Sequence, residues 1–186
     1  MAKKVDLFKD DGLILPEVGA WSERKYRLIR SYAEMFATSM KSKWECRVYI
    51  DLFAGAGYSK IEKTSRIVLG SPLLALEIPN QFDRYVFCEA DEVKLAALRQ
   101  RVQARAVGVD VAYVPGDVNN LIEDVLKQIP PHTKDFRVLS FCVMDPYRLK
   151  DLDFGTIQKL SGKFVDFLVL IPSYMDANRN VRTNYL

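Results

Sequence analysis

Four short polar motifs each follow a stretch of apolar, strand-forming residues, and they hold most of the side chains that could do chemistry. The first is a glycine turn, Asp51-Leu52-Phe53-Ala54-Gly55-Ala56-Gly57, and the others centre on Glu89, Asp117 and Asp145. Glycines at such a turn let the backbone approach a ligand closely, because no side chain stands in the way. A carboxylate after the next strand can accept hydrogen bonds from both hydroxyls of a ribose. These two motifs suit NAD and S-adenosylmethionine equally.

The third and fourth motifs add groups for an adenine ring and for a reacting partner. Asp117, in Gly116-Asp117-Val118, can accept a hydrogen bond from an adenine amino group. In Asp145-Pro146-Tyr147, the proline fixes the backbone and supplies no N–H. Acceptor groups there can hold an amine with its lone pair aimed at a methyl donor, while Tyr147 can stack on a flat acceptor such as a base. Read singly, each motif also has a purely structural explanation, as a turn or as the start of a helix.

The elements around these motifs indicate an α/β fold. Apolar periodicity predicts a helix from Ser22 to Met40, and then strands that alternate with helices. The predicted strands are residues 47–53, 85–89, 111–114, 138–144 and 165–171. A polar loop from Tyr58 to Gly70 precedes a helix that Ser71 caps. This order predicts a doubly wound, mainly parallel sheet with helices on both faces, whose ligand crevice lies at the carboxyl ends of the strands.

The composition is that of an ordinary globular protein. Of the 186 residues, 49% are hydrophobic and 27% charged, and a net charge of +3 permits contact with a polyanion without requiring it. Three scattered cysteines, Cys46, Cys88 and Cys142, and the single His132 lack the clustering of a metal site, so we expect buried thiols and no metal. Without a signal peptide or a long apolar run, we expect a cytoplasmic protein that does not enter a membrane.

At these motifs the chain resembles Rossmann-fold methyltransferases, and more narrowly the three-Cys-motif partner family of bacteria and their phages. The stretches that carry the resemblance are Tyr49 to Gly57, Gly70-Ser71-Pro72-Leu73-Leu74-Ala75-Leu76, Gly116-Asp117-Val118-Asn119 and Met144-Asp145-Pro146-Tyr147. It covers residues 22–180, and the combination is specific although each piece is common. The resemblance implies a methyltransferase-like fold, S-adenosylmethionine as cofactor, and association with the protein whose cysteines give the family its name. It implies no settled substrate.

Motifs and resemblance together assign the site residues. The expected cofactor-binding residues are Asp51, Phe53, Ala54, Gly55, Ala56, Gly57, Glu89, Ala90, Asp91, Gly116, Asp117 and Val118. The expected catalytic residues are Asp145, Pro146 and Tyr147. The leading hypothesis is an S-adenosylmethionine-dependent methyltransferase that acts on a nucleic acid or a protein. The alternatives are a non-catalytic cofactor-binding partner of a three-Cys-motif protein and a nicotinamide-dependent oxidoreductase.

The sequence departs from the methyltransferase pattern in three places, the first of which is the loop from Tyr58 to Gly70 that separates the glycine turn from its helix. Amino-methylating enzymes usually have two prolines between the acidic or amide residue and the aromatic one, whereas Pro146 stands alone here. The fold also normally adds a sixth and a seventh strand, and this sequence stops soon after the fifth. We therefore expect a lead-in segment at residues 1–21, and a Rossmann-like domain at residues 22–186 that is shortened at its C-terminal end and leaves the fifth strand at an open edge.

Overall fold

The computed structural model describes residues 8–171, and alternating strands and helices make up most of this range. In chain order the elements are β1 (Glu17–Val18), α1 (Ser22–Met40), β2 (Cys46–Asp51), β3 (Tyr58–Ile61), β4 (Ile67–Leu69), α2 (Ser71–Leu76), β5 (Arg84–Glu89), α3 (Glu92–Arg105), β6 (Val111–Pro115), α4 (Val118–Lys127), β7 (Val138–Met144), α5 (Phe154–Leu160) and β8 (Val165–Val169). A 3-10 turn at Leu149–Asp151 lies between β7 and α5.

The main sheet has five strands in the order β6-β5-β2-β7-β8, and every neighbouring pair is parallel. The connections after β2 run outward to β5 and β6, and the chain then returns to place β7 on the other side of β2. The carboxyl ends of β2 and β7 therefore border the point where the winding reverses. In open sheets of this kind, ligands bind in the crevice at that point. The prediction of a doubly wound, mainly parallel sheet is confirmed.

Helices cover both faces of this sheet, because side chains alternate along each strand. One face buries Tyr49, Phe87 and Phe141 against α1, α2 and α3. The other buries Ile50 and Cys142 against α4 and α5. Continuous apolar strands such as β7 are the pattern expected when both faces are covered.

Helix α1 and strand β7 have the predicted bounds. Helix α1 buries one stripe, Ile29, Ala33, Phe36 and Ala37, against the first face of the sheet. The other strands begin or end within two residues of the prediction; β8, for instance, ends at Val169 rather than at residue 171. The difference is small in physical terms, since backbone hydrogen bonds continue past the strand ends; the Leu170 amide, for instance, donates to the Met144 carbonyl at 2.8 Å.

The prediction of a polar loop at residues 58–70 is wrong. Strands β3 and β4 form an antiparallel hairpin there, and β1 pairs in parallel with β3 to complete a small three-stranded sheet. Tyr58, Ile61, Ile67 and Leu69 are buried, which supplies the apolar contacts that a polar loop would lack. Gly70 donates a hydrogen bond of 2.7 Å to the carbonyl of Gly57, so the two ends of the hairpin meet.

The start of α2 also differs from the prediction. Gly70 is the N-cap and Ser71 is the first helical residue, so Ser71 does not cap the helix. The Ser71 hydroxyl instead donates to the buried carboxyl group of Asp51. A hydroxyl that satisfies a buried carboxyl is not free to bond the helix N–H groups, since burial makes an unpaired acceptor costly.

Strand β8 lies at one edge of the main sheet. Within residues 8–171 it pairs with β7 alone, so its other side has no strand neighbour there. Over the same range, no helix has both the length and the apolar character that a membrane crossing needs.

Candidate functional site

The glycine turn leaves β2 at the switch point with one open side. Gly55 adopts a φ of +64°, and no heavy atom lies within 4 Å of the position that a Cβ would take. Gly57 has a φ of +84°, and a Cβ there would come within 2.9 Å of Leu98 and 3.1 Å of Leu73. Gly57 is therefore required by the packing of α2 and α3, whereas Gly55 leaves space at the crevice. Around them Ala54 and Ala56 are buried, and Phe53 is partly exposed.

Glu89 connects the glycine turn to the start of α3. Its Oε2 accepts a hydrogen bond of 2.7 Å from the Gly55 amide, and its Oε1 accepts one of 2.9 Å from the Asp91 amide. A carboxylate has about four acceptor positions, so about two remain available to a ligand. Asp91 itself caps α3 by accepting from the amides of Val93 and Lys94. The exposed Ala90 lies between these two anchors.

Asp51 is fully buried rather than open to the crevice. Its Oδ1 accepts from the Phe53 amide at 3.2 Å, and the Tyr49 hydroxyl lies 3.4 Å from its Oδ2. Burial raises the pKa of Asp51 from 3.8 to about 7, although these hydrogen bonds and that of Ser71 lower it, and the nearby charge of Asp145 adds to the rise. Asp51 therefore stabilises the glycine turn from inside the core. The spacing of the motif indicated a cofactor-binding residue and did not reveal this structural role.

The third motif lies at the carboxyl end of β6. Gly116 donates a hydrogen bond of 2.9 Å to the Glu89 carbonyl, which joins this motif to the second one. Asp117 is the exposed N-cap of α4, where its Oδ1 accepts from the Asn119 amide at 2.9 Å. Val118 begins the helix and is buried. The Asp117 carboxylate thus has one oxygen engaged in capping and a second that faces no donor among the described residues.

Asp145, at the end of β7, is held by a residue that the sequence did not point to. The ammonium group of Lys25 lies 2.5 Å from Asp145 Oδ2, and both side chains are largely buried. Lys25 also lies 4.8 Å from the ring centre of Trp21 and 5.0 Å from that of Tyr26. Helix α1 therefore supplies one wall of the place where an acceptor amine was predicted.

The other two residues of the fourth motif differ in exposure. Pro146 is buried, whereas the Tyr147 ring is 68% exposed. Asn119 fixes the segment that follows: its Nδ2 donates to the Asp151 carbonyl at 3.1 Å, and its Oδ1 accepts from the Asp153 amide and the Thr156 hydroxyl, each at 2.9 Å. Because Asn119 directly follows the third motif, Gly116-Asp117-Val118, it couples that motif to the fourth. Its chemical role was not evident from the sequence.

A buried arginine on α3 holds the glycine turn from the other side. Arg101 donates to the Ala56 carbonyl at 2.6 Å and to the Ile14 carbonyl at 3.1 Å. It also makes a bidentate ion pair with Asp11, at 2.8 and 2.7 Å. The segment before α1 is therefore tied to the site, although the sequence indicated only a loose lead-in. Arg101 reads as a solvated helix charge in the sequence, and no local pattern reveals its burial.

The described residues offer neither a reactive thiol nor a group of metal ligands at this site. Cys46, Cys88 and Cys142 are free and buried, as expected from their apolar surroundings. Burial raises the pKa of the Cys88 thiol to about 12, so the reactive thiolate does not form near neutral pH. Over residues 8–171, no three His, Cys, Asp or Glu side chains are grouped as a metal ion would need. One surface groove, between Trp44 and Phe164, lies at the start of β8 and away from the four motifs.

Comparison with known proteins informs the fold. No family model matches the sequence, and no curated protein matches it. Solved structures do match. One of them is the crystal structure of protein LPL1258 from Legionella pneumophila str. Philadelphia 1, described by the family name DUF519, which is 16% identical with a TM-score of 0.55. The match covers 77% of this chain and 67% of that one. At this identity the similarity establishes a shared α/β fold and nothing about activity.

Proposed function

We propose that the protein is an S-adenosylmethionine-dependent methyltransferase that acts on an amine of a nucleic acid or a protein. The observation that carries the proposal is that the four motifs follow the carboxyl ends of four adjacent strands, β6, β5, β2 and β7, along the edge of the sheet that contains the switch point. Glu89 is bonded to Gly55, Gly116 is bonded to the Glu89 carbonyl, and Asp145 ends the strand beside β2. Cofactor groups and acceptor groups thus lie along one edge.

The residues at this edge fit the proposed cofactor. Gly55 leaves open space, Glu89 retains acceptor positions for ribose hydroxyls, and exposed Asp117 can accept from an adenine amino group. When bound, S-adenosylmethionine supplies an electrophilic methyl group on its sulfonium. NAD also has a ribose and an adenine, but Asp145-Pro146-Tyr147 has no evident use in hydride transfer.

Asp145 and Tyr147 are proposed to hold the acceptor. The carboxylate binds an N–H of the acceptor amine through Oδ1, because Lys25 occupies Oδ2. The exposed ring of Tyr147 limits the orientation of a flat acceptor by stacking. Holding the nucleophile in line with the methyl group is the main source of rate in this scheme, since positioning alone contributes several kcal/mol, up to about 7–11.

A second function is favoured by the Lys25–Asp145 ion pair. An ammonium group at 2.5 Å competes with an acceptor amine for the same carboxylate, and a single proline precedes Tyr147. Both features suit a protein that binds the cofactor without turnover and regulates a three-Cys-motif partner. In either function the free thiols suit the reducing cytoplasm, where we place the protein.

Two measurements test the proposal and separate these alternatives. S-adenosylhomocysteine at 100 times its dissociation constant should raise the free energy of unfolding by about 2.7 kcal/mol, while NAD should leave it unchanged. An assay for transfer of a labelled methyl group to total nucleic acid or protein then distinguishes the two functions. The enzyme should transfer the label, whereas a protein that binds the cofactor without turnover should not. Stabilisation by NAD and not by S-adenosylhomocysteine would overturn the assignment of the cofactor.

A further inference from the structure

The outer surface of α1 carries three exposed arginines that have no acidic partner among the described residues. Arg24, Arg27 and Arg30 are exposed, and no acidic side chain among the described residues forms an ion pair with any of them. Their neighbours are paired, as in Lys25 with Asp145 and Arg66 with Glu23. The three arginines rise about 4.5 Å from one to the next along the helix. They form a basic strip along the exposed side of α1, the helix whose Lys25 contacts Asp145.

Two exposed aromatic rings flank the same position. Trp21 is 57% exposed at the start of α1, and Tyr147 is 68% exposed after β7. The Lys25 ammonium contacts both the Trp21 ring and the Asp145 carboxylate, so the indole lies beside the acceptor position. The Arg148 guanidinium lies 6.0 Å from the centre of the Tyr147 ring. Exposed aromatic rings beside cations are the arrangement by which proteins stack bases and hold phosphates.

We propose that the acceptor is a base of a single-stranded nucleic acid, stacked by Trp21 and Tyr147, with its phosphates bound by Arg24, Arg27 and Arg30. The inference rests on the proposed methyl transfer and narrows its substrate. An acidic peptide would satisfy the arginines, but it has no flat ring to cover the two aromatic side chains. A duplex would leave its bases stacked and out of reach of Asp145, so a single strand or an extruded base fits better.

The test measures binding of fluorescein-labelled, mixed-sequence single-stranded RNA and DNA by anisotropy at about 50 and 200 mM salt. Three phosphate contacts to a single strand should account for about a 20-fold loss of affinity over this range. The variant Arg24→Gln/Arg27→Gln/Arg30→Gln should lose that part of the salt dependence. Trp21→Ala and Tyr147→Ala should each weaken binding about 5- to 150-fold.

A matched control removes the same charge from the opposite edge of the sheet. Lys43, Lys134 and Lys163 are exposed near the amino ends of the strands, so Lys43→Gln/Lys134→Gln/Lys163→Gln should bind the strand like the wild type. Equal affinity of the two triple variants, or tighter binding of a poly-glutamate peptide than of either strand, overturns the inference. Calorimetry with S-adenosylhomocysteine separates the two proposals: strand binding without cofactor binding refutes methyl transfer, and cofactor binding without an arginine effect refutes this substrate.

Discussion

Removing the Asp11 carboxylate should destabilise the fold and loosen the glycine turn together. Asp11→Ala leaves the Arg101 guanidinium without its ion pair, and that side chain is only 2% exposed. Arg101 would keep its bonds to two backbone carbonyls, which do not neutralise the charge. One of them belongs to Ala56 in the glycine turn, so a displaced guanidinium disturbs the proposed cofactor site directly.

The size of the destabilisation follows from the different burial of the two partners, Arg101 and Asp11. Removing one partner of a fully buried ion pair costs about 3–5 kcal/mol, because the remaining charge is uncompensated. The Asp11 side chain is 30% exposed, so water can partly replace it and we expect about 2–3 kcal/mol. For a chain of this length, that corresponds to a fall of roughly 4–12 °C in the melting temperature.

Thermal unfolding followed by circular dichroism measures this effect, with Asp10→Ala as the control. Asp10 is an exposed neighbour whose side chain accepts a hydrogen bond from the Gly12 amide, so its loss should cost less than about 1 kcal/mol. The Arg101 hydrogen bonds hold the pKa of Asp11 below its ordinary value of 3.8. The stability they contribute is therefore present above about pH 4 and is lost as the pH falls through the lowered pKa. Equal melting temperatures of Asp11→Ala and Asp10→Ala at pH 7 would refute the reasoning.

Three further predictions concern the site. Burial raises the pKa of Asp51 to about 7, so the folded protein resists ionisation of this group. The free energy of unfolding should therefore fall by on the order of 4 kcal/mol as the pH rises from about 4 to 7. Asp51→Asn should flatten that dependence in urea unfolding, and an unchanged profile would contradict it. Glu89→Ala should weaken S-adenosylhomocysteine binding about 10- to 150-fold in calorimetry, whereas Glu92→Ala, three residues on and exposed, should not. Gly55→Val should abolish that binding, because a branched side chain fills the open space and resists a φ of +64°; normal affinity would show that the turn is only structural.

The parts of the fold that the sequence predicts well are those governed by local pattern. The stripe along α1 and the apolar run of β7 determine their own bounds, because each buries a regular set of side chains. The hairpin of β3 and β4 was missed for the opposite reason. Its strands have four and three residues, and polar side chains such as Lys60 interrupt the apolar pattern. A pairing this short is stabilised by β1 and by tertiary contacts rather than by its own sequence.

The residues of the site also fall into two groups, those that local spacing predicts and those that it does not. Glycine turns and acidic residues at strand ends can be recognised from spacing, because the fold brings all carboxyl ends to one edge. Lys25 and Asp145 are 120 residues apart, and Arg101 and Asp11 are 90 apart. Those contacts depend on how α1 and α3 pack against the sheet, which no local pattern encodes. The fully buried state of Asp51 depends on the same packing, so its structural role also lay beyond the sequence.

The hydrogen bond between Gly70 and Gly57 closes the hairpin of β3 and β4 at its base, so that the hairpin forms an insertion between β2 and α2. Its two ends meet at a backbone hydrogen bond of 2.7 Å, so β2 and α2 are joined across the base of the hairpin as well as through it. An insertion closed at its base in this way adds little entropic cost as it grows, since closure cost rises only slowly with loop length. We therefore expect added residues to be tolerated at the exposed tip of the hairpin, while Tyr58, Ile67 and Leu69 keep its base in the core.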